Sequence, residues 1–136
     1  MKTIELRRSI RDEIISHAQK DLPRECCGLL AGTVIGSRSI ANSRYPLVND
    51  AANPEREYFA SPEGLFKAMR SMRVAMQEMI AIYHSHPKGE AKPSHTDLEL
   101  ASYKTVYLIV GLAATPEIRA FEFENGNATE VTIIVN

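Results

Sequence analysis

His84 and His86 stand two residues apart at the end of an apolar run, residues 79–85 (MIAIYHS). On a β-strand, side chains at i and i+2 project to one face, so two imidazoles here can converge on a single ion. Pro87 stops the strand directly afterwards and leaves both rings at an edge that solvent reaches. Neutral imidazole is a common zinc ligand, and a carboxylate oxygen can complete a set of three protein ligands. Asp97 is the nearest carboxylate placed on a predicted helix beyond the loop 87–93. Three ligands leave a fourth position for water, as hydrolysis requires. A metal-free explanation competes. His-x-His alone is a weak signal. Ser94 and Asp97 also fit S-x-x-D, the capping box of a helix N-terminus, which accounts for both without an ion.

These residues need elements to position them. Ile10, Ile14, Ile15 and Ala18 recur at helical spacing among charged residues, so residues 8–20 read as an amphipathic helix stopped near Pro23. The apolar run 26–32 reads as a buried strand, and Gly36-Ser37 as a hairpin turn into a strand at 38–47. Residues 49–56 (NDAANPER) form a loop by composition, followed by a short strand at 57–60. Ser61-Pro62-Glu63 starts a helix that runs to about Gln77, with its methionines read as core. The histidine-bearing strand, a helix from Ser94 to Tyr103, a central strand at 106–112 and a closing hairpin (117–124 and 129–135, turning at Asn125-Gly126) complete the pattern. It predicts one α/β domain over 1–136, a mixed sheet with helices packed on it.

Bulk properties exclude several classes. At 136 residues the chain fits one domain, and a net charge of −1 offers no basic stripe for nucleic acid. No apolar run approaches the ~20 residues that span a bilayer, and the N-terminal stretch has no apolar core of a signal peptide. No membrane association is expected, and the cytoplasm is the expected location. The two cysteines, Cys26 and Cys27, are neighbours and read as free thiols. A nucleophilic cysteine would need a base and an orienting group, and neither can be named. On its helix His95 points away from Asp97, and His17 is expected at the surface. Asn53 and Arg56 fall in a loop that could border a cleft.

Together, His84-Ser85-His86-Pro87, Ser94 and Asp97 match H-x-H-P-x(6)-S-x(2)-D, and Glu25 precedes the early strand in Glu25-Cys26-Cys27-Gly28-Leu29-Leu30. This arrangement resembles the JAMM (MPN-plus) metallopeptidases, in particular the small stand-alone prokaryotic members. The resemblance covers about residues 8–112 and departs from the pattern at none of the five motif positions. It implies a cytidine-deaminase-like α/β architecture with a mixed, curved sheet flanked by helices. It also implies one Zn2+ per chain held by His84, His86 and Asp97. Glu25 would act as the proton carrier and Ser94 as a donor to the oxyanion. On the residues alone, Glu25 is a solvated charge beside Arg24; only the motif gives it a role. The zinc deaminases' own ligand pattern, H-x-E with P-C-x-x-C, is absent, which disfavours base deamination.

The implied activity is zinc-dependent hydrolysis of a peptide or isopeptide bond at the Gly-Gly tail of a ubiquitin-like sulfur-carrier protein. The tail would enter as an extended strand held by main-chain hydrogen bonds. An alternative of another class is a non-catalytic MPN-type scaffold module that holds a ubiquitin-like protein. A third reading gives the cysteines a redox role beside a bound metal.

Overall fold

The structure is a computed structural model that describes residues 2–136. Its strands are β1 (Thr3–Leu6), β2 (Cys27–Ile35), β3 (Arg38–Leu47), β4 (Glu78–His86), β5 (Val106–Gly111), β6 (Glu117–Glu124) and β7 (Asn127–Val135). Three helices join them: α1 (Arg8–Lys20), α2 (Pro62–Val74) and α3 (His95–Leu100). The strands pair in the order β1-β3-β2-β4-β5-β6-β7, and β7 returns to β1, so the mixed sheet closes into a barrel. β1 is parallel to both its neighbours, and β4 is parallel to β5.

The apolar residues divide between the two faces of the sheet. Ile10, Ile14 and Ala18 of α1 pack with Cys26, Leu30, Tyr83 and Leu108 on one side. Ala68 and Met72 of α2 pack with Cys27, Leu29, Ile82 and Tyr107 on the other. Adjacent cysteines on one extended stretch therefore enter opposite cores, as the period of two demands. Gly28 is obligatory here, because a Cβ would run into the ring of Tyr83 on the neighbouring strand. The Tyr83 hydroxyl in turn meets His17 Nδ1 at 2.7 Å and accepts from Arg44 Nη1 at 3.0 Å, which ties α1 to β4.

Several expectations from sequence need correction. The pattern in the sequence does not mark strand β1; it is four residues long, yet Ile4 and Leu6 are fully buried and close the barrel. His17 is not a plain surface residue but packs on Tyr83. The stretch 57–60 forms only an isolated bridge between Asn49 and Ala60. α2 ends at Val74, where the amides of Met76 and Gln77 turn back to Arg73 and Met72 carbonyls. Met76 takes the left-handed conformation of that cap at φ 56° and is 90% exposed. Of the methionines in this stretch only Met72 is buried, so it is only partly core.

α3 stops at Leu100 instead of Tyr103. It buries none of its residues, and the Tyr107 hydroxyl takes up the main-chain amide and carbonyl of Tyr103 that a longer helix would have used. No helix among the described residues is long and apolar enough to cross a membrane.

Candidate metal centre

β4 carries both histidines on the face that looks toward α3 and the loop 49–59. Its partners hold it on both sides: β2 pairs Cys27 with His84, and β5 pairs with β4 through His86 and Gly111. The histidines thus sit at the end of a central strand rather than at a free edge. His84 is fully buried, and the His86 side chain is 14% exposed. This corrects the expectation of two solvent-reached rings and leaves no open edge on β4 for an added strand.

α3 brings the carboxylate. Ser94 caps the helix: its hydroxyl accepts from the Asp97 amide at 3.0 Å, and its own amide donates to Asp97 Oδ2 at 2.9 Å. The capping box expected from S-x-x-D is therefore present, and it aims Asp97 at the histidines. Asp97 Oδ1 lies 3.0 Å from His84 Nε2, Asp97 Oδ2 lies 3.0 Å from His86 Nε2, and the two Nε2 atoms are 3.3 Å apart. Cap and ligand roles are thus compatible in one residue.

This geometry suits a cation. Ligand atoms bonded at ≈ 2.0–2.1 Å to one tetrahedral ion lie about 3.3 Å from each other. Two imidazoles and a carboxylate are also the ligand types of catalytic zinc. The three residues can hold a metal ion, and the chemistry of the set fits one. Burial lowers the pKa of His84 against the opposing pull of Asp97, which favours the neutral ring, the form that ligates. For His86, burial is outweighed by hydrogen bonds to Asp97 and to the Glu90 carbonyl, and its pKa is raised. Burial also works against an ionised Asp97, yet hydrogen bonds from both histidines hold it far below the usual carboxylate range.

Orientation of the rings comes from two sources. His86 Nδ1 meets the Glu90 carbonyl at 2.9 Å, the outer contact that commonly orients a ligating histidine. Glu90 is held there by close packing, since a Cβ on Gly111 would strike the main chain of Glu90 and Ala91. His84 Nδ1 has no hydrogen-bond partner; instead Tyr58 stacks on the ring at 4.5 Å with an interplanar angle of 21°. Tyr58 was not singled out in the sequence, and nothing in its local pattern signals the stack.

Glu25, in the turn before β2, lines a cleft with His86 and Ser94. It is 6% exposed, and its Oε1 is buried with no partner. Burial pushes its carboxyl up to about 7, with His86 pulling it down and Asp97 pushing it up. It is not the solvated charge that its neighbour Arg24 suggested. Glu25, Arg56, His86, Lys88 and Ser94 line a polar cleft of about 380 Å3. A second, largely apolar cavity of about 530 Å3 is lined by Asp97 with Tyr58, Phe59, Leu65, Leu100 and Tyr103. Of the loop residues noted in the sequence, Arg56 borders the cleft, whereas Asn53 only accepts main-chain bonds from Arg56 and Glu57. His95 is exposed and paired with Glu99, away from the cluster.

Residues 7–124 match the family described as prokaryotic homologues of the JAB domain. The chain belongs to this family. A Thermus thermophilus protein described as a probable TtuB-protein conjugate cleaving protease is 36% identical over 128 residues, 94% of this chain and 80% of that protein. A desampylase of Haloferax volcanii is 38% identical over 104 residues, 73% of each chain. The solution structure of a Desulfitobacterium hafniense protein superposes with a TM-score of 0.90 at 32% identity, covering 98% of this chain and 92% of the other.

In this JAB-domain chain Cys27 lies opposite His84 on the neighbouring strand, and Cys26 enters the other core. Both are free and buried, and burial pushes each thiol up to about 12. Protonated, shielded thiols do not react readily, which removes support from the redox reading. A small thiol reagent at mildly alkaline pH should label neither cysteine in the folded protein and both after denaturation. Rapid labelling of either in the native state would contradict this burial.

Proposed function

We propose that this JAMM-type chain is a zinc peptidase that cleaves a peptide or isopeptide bond at the Gly-Gly tail of a ubiquitin-like sulfur-carrier protein. The observation that carries the reading is the convergence of His84, His86 and Asp97 at 3.0–3.3 Å, with Glu25, whose Oε1 has no partner, lining the same cleft as His86. Relatives described as conjugate-cleaving protease and desampylase support the substrate class. The cytidine-deaminase-like architecture, a single domain over 1–136 and a cytoplasmic setting belong to the same reading.

His84, His86 and Asp97 would hold the ion. Zinc, when bound, supplies a Lewis acid that makes a water nucleophilic at neutral pH and polarises the scissile carbonyl. Glu25 takes the proton of the attacking water and passes it to the leaving amine. A carboxyl raised by burial is suited to both steps, because it gives the proton up as readily as it accepts it near pH 7. Ser94, in the same cleft, donates to the carbonyl oxygen as negative charge builds there. The apolar cavity receives the carrier's tail, and the polar cleft receives the leaving side.

Ser94 separates two roles. Ser94→Ala should cost ~1 kcal/mol of stability as a lost cap and lower kcat by ~10²-fold or more as a lost donor. Ser94→Asp restores a cap but has no hydroxyl to donate. Stability should return with activity still missing; recovered activity would reduce Ser94 to a cap.

The substrate reading is tested by offering the zinc-loaded protein three substrates: casein, a short peptide containing Gly-Gly, and a folded ubiquitin-like carrier extended beyond its Gly-Gly. Each main-chain hydrogen bond contributes only ~1 kcal/mol net, so the folded carrier must supply most of the affinity. Turnover is expected on the extended carrier, little on the peptide and none on casein. Efficient digestion of casein would overturn the carrier reading and spare the zinc mechanism. Tight carrier binding without cleavage would favour the scaffold alternative.

A further inference from the structure

We infer that Asn49 is a positioning residue for Glu25, its buried side-chain amide fastening the main chain of the base to the loop 49–59. The inference rests on the reading of Glu25 as the general base. The sheet itself does not hold Glu25. The β2–β4 ladder begins at Cys27 opposite His84. Cys26 is still secured by Ser85, whose Oγ accepts from the Cys26 amide at 2.8 Å and whose amide donates to the Cys26 carbonyl at 3.2 Å. Glu25 lies one residue beyond, and both its main-chain polar groups turn to the loop. Its amide donates to the Pro54 carbonyl at 2.7 Å, and its carbonyl accepts from Asn49 Nδ2 at 3.0 Å.

Asn49 is 4% exposed, one of the few buried polar residues of the chain. Its Nδ2 also reaches the carbonyls of Glu57 at 3.0 Å and Pro54 at 3.4 Å. Its Oδ1 accepts from the amides of Ala51 and Phe59, each at 3.0 Å. The Asn49 carbonyl accepts from Arg24 Nη2 at 2.7 Å, on the residue before the base. A carboxamide offers two donors and an acceptor oxygen from one short side chain; aspartate of the same shape has no donor when ionised, and serine is too short to span the set. No hydrogen bond joins Asn49 to His84, His86 or Asp97, so its removal should spare the ligands.

Two variants test this, Asn49→Asp and Asn49→Ser, each compared with the full-length parent. Amide hydrogen exchange reads the clamp without any turnover. The Glu25 amide should exchange at least roughly 10-fold faster in Asn49→Ser, with the amides of Leu29 and Ile82 in the ladder unchanged. Kinetics on the extended carrier read the consequence. Displacing a catalytic group by about 1 Å can cost ~10²-fold, so kcat should fall by about 10–100-fold with KM and zinc content little altered. In a Glu25→Gln background the same changes should have almost no further effect, because Asn49 acts through the base. Unchanged exchange at Glu25, losses that multiply with Glu25→Gln, or loss of zinc would each overturn the assignment. If Glu25→Gln itself retains full turnover, the base reading fails, and exchange still decides whether Asn49 holds that segment.

Discussion

Glu25→Gln should keep the metal and lose turnover by roughly 10²–10⁴-fold, the range expected for removal of a general base. The substitution preserves size and removes the ionisable oxygen, so what is lost is proton transfer. Glu25 lies outside the ligand set of His84, His86 and Asp97, and therefore metal content should not change. The pH profile should carry the same signature. A base works in its ionised form, so activity falls as pH drops through its pKa. Burial, with the opposing pulls of His86 and Asp97, sets that value at about 7, and the positive charge of a bound cation pulls it lower. With metal saturating, the parent should show an acid limb with its midpoint at or below pH 7, and Glu25→Gln should lack it. Loss of metal in Glu25→Gln would make Glu25 a ligand and overturn its assigned role.

His84→Ala should empty the centre. His84 is fully buried and contributes Nε2 at 3.0 Å from Asp97 Oδ1 and 3.3 Å from His86 Nε2. Removing it leaves two protein ligands, fewer than the three of a catalytic zinc site. It also opens space beneath Tyr58 and leaves Asp97 without one of its two histidine partners. Elemental analysis should find less than a tenth of the parent's zinc, with turnover at background. Because ligands add to stability in proportion to how well they bind the folded state, zinc should raise the melting temperature of the parent and not of His84→Ala. Retained stoichiometric zinc would remove His84 from the ligand set.

Much of the site was legible because its signals are local. The spacing of His84 and His86 uses the strand's period of two, and Ser94 with Asp97 uses the helix-start pattern, so each pair is specified within a few residues. Asp97 turned out to serve the cap and the cluster together, a coincidence that spacing alone left as competing explanations. The long amphipathic helix over 8–20 and the hairpins at both ends were legible for the same reason.

What escaped depends on contacts between distant segments. Barrel closure needs β1, whose four residues carry too little periodicity to be seen, although Ile4 and Leu6 are wholly buried in the core with α1. Burial of Glu25 comes from the loop 49–59 folding over it, 24 positions away at Asn49. The stack of Tyr58 on His84 spans the same kind of distance. The early end of α3 reflects the Tyr107 hydroxyl, which lies on the next strand and competes for the Tyr103 main chain.

A hydrolytic centre built on one metal ion is tested by titrating metal-free protein with zinc while following cleavage of a ubiquitin-like carrier extended beyond its Gly-Gly. Activity should rise in proportion to added zinc and break at one equivalent per chain, the stoichiometry of a single His84–His86–Asp97 site. Full cleavage by the metal-free protein, or none at any zinc concentration, would contradict the account.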